Sequence, residues 1–463
     1  MEQARMRKKV RKKEEELPDF INNLPDEILC MILSLLPVDE AVRTGILSKR
    51  WRSLWKHTSR LDFDVKHMIH PFSGLNKSPY DHLLHILDMG KVEGTQRYGI
   101  LFFLILRQHL SDLTSCRFLH LPDTEVCDWV QYLFERKKGL KDLSLECEEY
   151  GGISKRRFPS TKCFRDILSS LRSLELTSYF IRSTYAFSSC NNLRTLKLKR
   201  VIMPDEIING ILRSCVSLEN FSLIRSYGFK EIKINNSCLK FLELNYLRVD
   251  NMELYAENLE VLVLDSFGCY ASNLVLVAPN LRVLNCCRRQ CVPESYDVLK
   301  YHILLEYCSD FWESKRSIIC GKLSSLSIDL DLNNVREALS ISNILRSSIE
   351  LRSLRVFIPP VNGNANLETS SIAVRDLLDL HNFLGGKEIS NCTRHKLKFL
   401  CIEGFTGTEL EVQVIRYLML SSSKLETINI FCGSSMEDTH ELLSLQGASM
   451  NFTIKLMVAK RFL

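Results

Sequence analysis

The chain has 463 residues, of which 45% are hydrophobic and 25% are charged, a composition typical of folded proteins. This length exceeds one ordinary core and predicts several domains or a repeat array. The formal net charge is +6, but the first 16 residues hold seven Lys or Arg against four Glu, which leaves +3 for the remaining 447 residues. A nearly neutral body argues against a general polyanion-binding surface.

The N-terminal residues 1–16 are predicted to be a basic, disordered tail. Their run RMRKKVRKK is compatible with a nuclear import signal and equally with a solvated charged terminus. No apolar run follows the basic start, so no signal peptide is expected. The longest apolar run, residues 100–106, is too short to span a bilayer, and no membrane association is predicted.

The 17 cysteines are scattered, as expected of reduced thiols in the nucleus or cytoplasm. Cys286, Cys287 and Cys291 form the one tight cluster, and it lacks the paired spacing of a zinc site. We therefore expect neither a metal nor another cofactor. No catalytic motif, phosphate loop or nucleophile elbow occurs, and we expect no enzyme activity.

Residues 24–55 concentrate large apolar side chains, and three short helices are predicted there. The first begins near Pro25 and ends at Pro37, while Asp39 and Ser48 are placed to cap the second and third. Apolar residues recur at helical spacing: Ile28, Leu29, Ile32, Leu33 and Leu36 on one face of the first helix, Val42, Ile46 and Leu47 on the second, and Trp51, Leu54 and Trp55 on the third. Such a small unit buries little surface, so part of its apolar face is expected to bind a partner.

The interval 63–139 is interpreted as a linker and an N-terminal capping repeat. Trp129, Val130, Leu133 and Phe134 recur there at helical spacing. They predict the first helix of the array that follows.

We assign eleven hexamers of the pattern L-x-x-L-x-L, with Phe, Ile, Val or Cys allowed, to a repeat array. Their first residues are Leu140, Leu171, Leu193, Leu218, Leu239, Leu259, Leu281, Leu323, Leu351, Leu397 and Leu425. Spacings of 20 to 25 residues between Leu171 and Leu281 are typical of leucine-rich repeats. Each hexamer predicts a short strand, and stacked repeats predict a horseshoe-shaped α/β solenoid with a parallel β-sheet on its concave face. We assign the repeats to residues 140–393, with insertions near 287–322 and 358–396.

The third and fifth hexamer positions are predicted to point outward from the sheet. In the central repeats they hold Phe241, Val261, Val263 and Val283, which we interpret as an apolar patch for a protein substrate, with Glu243 and Asn285 orienting the ligand. Two alternatives stay open: the insertion after Leu281 covers these residues, or a parallel sheet simply tolerates them. Only Lys197 and Arg355 are cationic among the outward positions, so no phosphate site is expected.

The segments of residues 24–55 resemble the F-box motif, in the pieces LPDEIL (24–29), ILSLLP (32–37) and SKRWRSLW (48–55). Residues 397–430 are similar to the FBD domain of plant F-box proteins, through Gly404, Gly407, Glu409, Leu410 and the run IRYLMLSSSKLE. The resemblance implies an F-box at 17–62, leucine-rich repeats, and an FBD-like C-terminal cap at 394–463. The latter reads as strand, turn, amphipathic helix and strand.

The resemblance implies that the F-box binds a Skp-type adaptor, and through it cullin and a RING protein, while the repeats bind a protein substrate for ubiquitination. Adaptor contact or F-box core is then expected of fourteen residues: Leu24, Pro25, Ile28, Leu29, Ile32, Leu33, Leu36, Pro37, Val42, Ile46, Leu47, Trp51, Leu54 and Trp55. The alternative is a scaffold that binds the adaptor or another protein without ubiquitin transfer. Nucleic-acid binding through the basic tail would require strong salt dependence, and the neutral body disfavours it.

Overall fold

The structure is a computed structural model. It describes residues 21, 23–65, 99, 102–122, 126–137, 139–148, 156–269, 273–286, 318–319, 322–334, 337–338, 341, 344–345, 348, 350–359, 396–432 and 453–458. The basic tail, most of both predicted insertions, Cys287 and Cys291 lie outside these residues. The chain divides into two compact units, Met1–Glu148 and Glu149–Leu463.

The first unit contains the three predicted helices, followed by strands of a parallel sheet. Its elements are α1 (Asp26–Leu33), α2 (Val38–Arg43), a 3-10 turn (Thr44–Ile46), α3 (Trp51–Leu54), a 3-10 turn (Trp55–His57), β1 (Arg60–Asp64), β2 (Ser115–His120), α4 (Val126–Arg136) and β3 (Asp142–Cys147). Strand β2 pairs in parallel with both β1 and β3. The predicted helix around Trp129 is confirmed as α4, and it buries Trp129, Val130 and Leu133.

Two details of helix termination differ from the predictions. Helix α1 ends at Leu33 and Pro37 precedes α2 as its N-cap residue. Asp39 lies inside the first turn of α2, where its carboxylate accepts a hydrogen bond from Arg43 at 2.9 Å. Asp39 lies two residues past the N-cap residue Pro37, so it does not take the capping role that the sequence suggested. Ser48 does accept a hydrogen bond from the Trp51 N–H at 3.3 Å, as predicted for the third helix.

The sheet begins before the first hexamer that the sequence analysis identified. Residues 113–118 read LTSCRF and lead into β2, with Leu113, Cys116 and Phe118 at most 1% exposed. Residues 58–63 read TSRLDF and lead into β1, with a buried Thr in place of the first Leu. Both are hexamers of the same pattern in which small or aromatic residues replace leucines.

In the second unit, each predicted hexamer forms a strand that starts at its third residue. These strands are β4 (Ser173–Thr177), β5 (Thr195–Lys199), β6 (Asn220–Ile224), β8 (Phe241–Arg248), β10 (Val261–Gly268), β12 (Val283–Cys286), β14 (Ser325–Asp329), β15 (Ser353–Phe357), β16 (Phe399–Phe405) and β17 (Thr427–Cys432), followed by β18 (Thr453–Val458). They are hydrogen-bonded in this order. Every first-position Leu is at most 1% exposed, and the predicted leucine-rich-repeat solenoid is confirmed.

The elements opposite this sheet change from helices to strands along the second unit. Helices α5 (Lys162–Ser170) and α6 (Asp205–Ser214) and a 3-10 turn (Tyr185–Phe187) come first. Four parallel strands follow: β7 (Glu231–Asn235), β9 (Asn251–Tyr255), β11 (Leu274–Val277) and β13 (Ile318–Ile319). The apolar period explains the change, because α6 buries residues three and four apart whereas EIKIN in β7 buries every second residue.

Side chains of α6 cover β7, an edge strand of the smaller sheet. The Asp205 carboxylate accepts hydrogen bonds from the N–H groups of Lys230 and Glu231 at 2.6 and 2.8 Å. The Asn209 side chain accepts one from the Lys233 N–H at 2.8 Å and donates one to the Glu231 carbonyl at 3.1 Å. An exposed strand edge can pair with other chains. These four bonds instead satisfy backbone groups along this edge within the chain.

The C-terminal cap has the predicted order of strand, glycine-containing turn, helix and strand. Helix α7 (Glu409–Ser421) lies between β16 and β17, with the Thr408 side chain as its N-cap. In the turn, the buried Glu411 carboxylate accepts hydrogen bonds from the N–H groups of Thr406 and Gly407, both at 2.9 Å. It also accepts them from the Thr406 hydroxyl at 2.9 Å and the Asn333 amide at 3.0 Å.

We expect Gly404→Ala to destabilise this cap by about 2 kcal/mol or more. Gly404 has a φ of +83°, and an added Cβ would lie 2.3 Å from the Ile358 carbonyl oxygen. The measurement is the free energy of unfolding by urea. The control is Gly139→Ala, whose Cβ would lie 3.5 Å from the Leu113 carbonyl oxygen, an ordinary contact. Equal stability of the two variants would contradict the prediction.

Candidate functional site

The three N-terminal helices enclose a small core of their own. Six buried residues form it: Leu29, Leu33, Ala41, Trp51, Leu54 and Trp55. Leu24, Cys30, Leu36 and Ile105 pack against this cluster and are partly buried. The two tryptophans thus complete a core in which α1 supplies Leu29 and Leu33.

Arg50 holds the start of α1 against the third helical segment. Its guanidinium donates hydrogen bonds to the Asp26 carboxylate at 2.7 Å and to the Leu24 carbonyl at 2.6 Å. The Cys30 thiol donates to the Leu54 carbonyl at 3.4 Å. These bonds join the two ends of residues 24–55 and fix the orientation of α1.

A second set of large apolar side chains points away from that core. Seven residues of the helices and their turns are exposed: Ile28 (42%), Met31 (64%), Ile32 (43%), Leu35 (75%), Val42 (37%), Ile46 (86%) and Leu47 (71%). We call them the exposed F-box surface. Helix α1 contributes residues 28, 31 and 32, and residue 35 lies in the turn after it; together they follow the i, i+3, i+4, i+7 spacing of one helical face. Exposed large apolar side chains in this number within one small unit are typical of a protein-binding site.

The structure therefore divides the fourteen residues predicted for adaptor contact or core. Leu29, Leu33, Trp51, Leu54 and Trp55 are buried in the core, while Leu24, Leu36 and Pro37 are partly buried. Pro25, Ile28, Ile32, Val42, Ile46 and Leu47 are exposed. The prediction of a single apolar face on the first helix is wrong, because residues 28 and 32 lie apart from residues 29 and 33. Met31 and Leu35 were missed, although their spacing from Ile28 carries the signal.

Residues 56–59 and 109–114 connect the helices to β1 and β2. The N–H groups of Leu110 and Thr114 donate to the carbonyls of Lys56 and Ser59 at 2.8 and 2.9 Å. His109 is buried here, and its Nε2–H donates to the Thr58 carbonyl at 2.8 Å. Burial, followed by the positive charge of Lys137 and His57, lowers the His109 pKa to about 4. Its Nδ1 has no hydrogen-bond partner among the described residues.

We expect the junction at His109 to lose stability as the pH falls from 6.5 towards 4. Because the folded pKa lies below 6.5, the unfolded chain takes up the proton first, and the stabilisation present at neutral pH disappears. The expected loss between pH 7.5 and pH 5 is about 1 to 2 kcal/mol. His109→Gln keeps a donor for the Thr58 carbonyl and does not titrate. The free energy of unfolding by urea, measured at both pH values, should show this loss in the wild type and not in His109→Gln.

The six residues predicted to hold substrate form two rows across three paired strands. Phe241, Val261 and Val283 lie side by side in β8, β10 and β12, and Glu243, Val263 and Asn285 form the next row. All six are partly exposed. Neighbouring strands are about 4.8 Å apart, so these side chains form one block, which we call the sheet patch.

Glu243 is held in position by two hydrogen bonds within the sheet patch. Its carboxylate accepts from the Ser222 hydroxyl at 2.7 Å and from the Asn245 amide at 2.6 Å. The side-chain oxygen of Asn285 is buried and has no hydrogen-bond partner in the described part of the chain. Most of the insertion near 287–322 that was considered as a cover for this patch lies outside the described residues, so the substrate role stays a prediction.

No group of His, Cys, Asp and Glu within the described ranges is arranged to hold a metal ion. None of the helices that the structure describes combines the length and apolar character that crossing a bilayer requires.

Comparison with known proteins gives three family matches. The F-box domain matches residues 21–63, the LRR repeats of "FBD-associated F-box protein At5g56370" match 126–294, and the FBD matches 388–430. Among solved structures, a TLR13–ssRNA13 complex has a TM-score of 0.39 at 12% identity, covering 92% of this chain and 52% of that one.

Relatives from Arabidopsis thaliana extend the likeness. F-box protein At1g80960 is 32% identical over 57% of this chain and 53% of its own length. F-box protein At5g03100 is 30% identical over 54% of this chain and 70% of its own length. F-box/FBD/LRR-repeat protein At1g13570 is 26% identical over 96% of both chains. The chain thus spans about half the length of the first of these relatives.

An F-box followed by leucine-rich repeats and an FBD defines the class of protein. The chain belongs to the family of F-box proteins that combine leucine-rich repeats with an FBD domain.

Proposed function

We propose that the protein is the substrate-recognition subunit of an SCF-type ubiquitin ligase. The exposed F-box surface is the observation that carries this proposal. Its helices already have a complete core, so the seven exposed apolar residues have no structural task within the described part of the unit. Burying one such side chain contributes about 1.5 to 3 kcal/mol, which gives a strong reason for a protein partner to cover them.

The partner proposed for this surface is a Skp-type adaptor, through which a cullin and a RING protein join the complex. Membership of the F-box family supports that choice. Leu35, Ile46 and Leu47 are at least 71% exposed and are the proposed anchors, since large apolar residues at the centre of an interface supply most of its affinity.

The protein itself is proposed to catalyse no bond-forming step. Its repeats would hold a protein substrate at the sheet patch, and the adaptor would place that substrate near a ubiquitin-charged enzyme. Tethering of this kind accelerates transfer by raising the effective concentration of the substrate. The proposed location is the nucleus or the cytoplasm, where cysteines remain reduced.

The proposal is tested by mixing the tagged full chain with purified plant Skp-type adaptor and cullin, followed by a pull-down. Retention of both proteins is the expected result. Adaptor without cullin would favour the scaffold function, in which the chain binds partners without ubiquitin transfer. Retention of neither would overturn the proposal.

A further inference from the structure

Five successive repeats place a non-glycine residue with positive φ at the same position, two residues after the end of the hexamer. Counting the first Leu as position one, it is position eight: Ser178 (+62°), Arg200 (+51°), Arg225 (+48°), Tyr246 (+53°) and Ser266 (+50°). Gly404 occupies the equivalent position after Leu397, with φ +83°. Left-handed backbone crowds any Cβ, and glycine adopts it without strain.

The hydrogen-bond ladder explains this backbone conformation. The N–H groups of Ser178, Arg200 and Arg225 donate to carbonyls of the next repeat at 2.9, 2.8 and 2.9 Å. The ladder therefore continues through the residue at which the chain turns. It does not explain the side chains, because glycine would make the same bonds. Three of the five residues, Arg200, Arg225 and Tyr246, carry long side chains at a position that disfavours them.

Two of these residues, Arg200 and Arg225, belong to a cationic surface at the carboxyl ends of the adjacent strands β4, β5, β6 and β8. We call it the basic rim, and it consists of Arg182, Lys199, Arg200, Arg225 and Arg248. The Arg225 guanidinium lies 4.8 Å from the centre of the Tyr246 ring, and that of Arg182 lies 4.4 Å from the Phe180 ring. An arginine stacked on an aromatic ring keeps its N–H donors available for a carboxylate.

The cations of the basic rim differ from other lysines of the second unit. Lys230, Lys233 and Lys240 each form an ion pair, with Asp250, with Glu231 and Glu253, and with Glu219, respectively. By contrast, Lys199, Arg182, Arg225 and Arg248 form no ion pair with another described residue. Lys199, Arg182, Arg225 and Arg248 therefore present positive charge that no carboxylate of the described residues pairs with.

We propose that the basic rim binds an acidic segment of a protein partner, whose neighbouring apolar residues occupy the sheet patch. This inference rests on the proposed function, in which the repeats hold a protein substrate. Strand β8 connects the two surfaces, since it begins at Phe241 and ends at Arg248. Glu243 lies on β8 and Asp265 lies on β10. Because these two side chains repel the carboxylates of the segment, those carboxylates are directed towards β5 and β6.

The size of the rim favours a peptide over a nucleic acid. Four neighbouring strands span about 15 Å, which an extended segment of about five residues covers. A nucleic acid carries a negative charge on every phosphate, including those that extend past both ends of the rim. There its phosphates would be repelled by Glu175 on β4 and Glu243 on β8.

The test uses two fluorescein-labelled peptides in which a leucine pair is followed by glutamates or, in the second peptide, by glutamines. Fluorescence anisotropy with the full chain should show at least roughly tenfold tighter binding of the glutamate peptide. The variant Lys199→Gln/Arg225→Asn/Arg248→Gln should lose that preference. The matched control Lys230→Gln/Lys233→Gln/Lys240→Gln removes the same charge from paired lysines and should keep it. Equal binding of both peptides, or equal loss in both variants, would overturn the inference.

Two further measurements make the result specific. Asn tolerates left-handed backbone better than Arg, so Arg225→Asn alone should weaken glutamate-peptide binding without lowering the melting temperature. Tighter binding of a labelled single-stranded RNA than of the glutamate peptide would overturn the assignment to a protein segment. Adaptor and cullin pull-downs with the same preparations separate the two proposals: a wild-type chain that retains both proteins but binds the two peptides equally contradicts only this inference.

Discussion

Ile46→Asp/Leu47→Asp is expected to reduce adaptor affinity by roughly 100-fold or more while changing the free energy of unfolding by less than about 0.5 kcal/mol. Ile46 is 86% exposed and Leu47 71% exposed, and neither belongs to the core of the helices. The substitutions remove two proposed anchors and place two carboxylates in an apolar interface, where desolvation of charge is costly. A titration of purified adaptor against the labelled chain measures the effect.

The matched control is Leu110→Asp/Val216→Asp, which introduces the same charge at residues that are 67% and 58% exposed outside the exposed F-box surface. It should bind the adaptor as the wild type does. Leu33→Ala supplies the opposite case, because it opens a cavity at a residue that is 1% exposed and should cost about 3 kcal/mol. If Ile46→Asp/Leu47→Asp binds the adaptor normally, this surface is not the adaptor site.

Glu411→Ala is expected to destabilise the C-terminal cap by about 4 kcal/mol. The carboxylate is fully buried and accepts four hydrogen bonds, and two of the donors are backbone N–H groups of the turn. Its removal leaves these donors unsatisfied. Amide hydrogen exchange should show the loss as faster exchange in β16 and β17, and urea unfolding measures its size.

Glu409→Ala is the control for this prediction because Glu409 is exposed in the first turn of the same helix. Its expected effect is below about 0.5 kcal/mol. Glu411→Gln should lie between the two, since the amide presents one oxygen to the donors and an NH2 group in place of the other. Similar stability for Glu411→Ala and Glu409→Ala would show that the cap does not depend on the buried carboxylate.

The repeat strands could be predicted closely because each one depends on local pattern alone. The hexamer that starts at Leu193, for example, places its apolar residues on one side of the strand, whatever its partners are. The same pattern was missed at residues 58–63 and 113–118, where Thr, Cys and Phe fill leucine positions. Residues 113–118 already fit the permitted set, through Leu113, Cys116 and Phe118, and were overlooked, whereas residues 58–63 require Thr as a further permitted first residue.

Features that depend on distant residues were not predictable in this way. Asn333 donates to Glu411 across 78 residues, and no local pattern indicates that pairing. Helix α1 was misread because apolar residues occur on two of its faces, and burial alone distinguishes Leu29 from Ile28. The basic rim was not predicted because its cations lie after the hexamers, whereas surface contacts were inferred only from the outward positions within them.

Strands β12 and β14 remain in register although 38 residues separate Cys286 from Ser325, with Leu284 beside Leu326. The ladder therefore places no limit on how much chain a single repeat contains, and longer loops raise the entropy of closure only slowly. New sequence can accumulate at this joint without disturbing the repeats on either side. Descendants of one ancestral gene could thus diversify what they recognise at the edge of the sheet patch while keeping the same array.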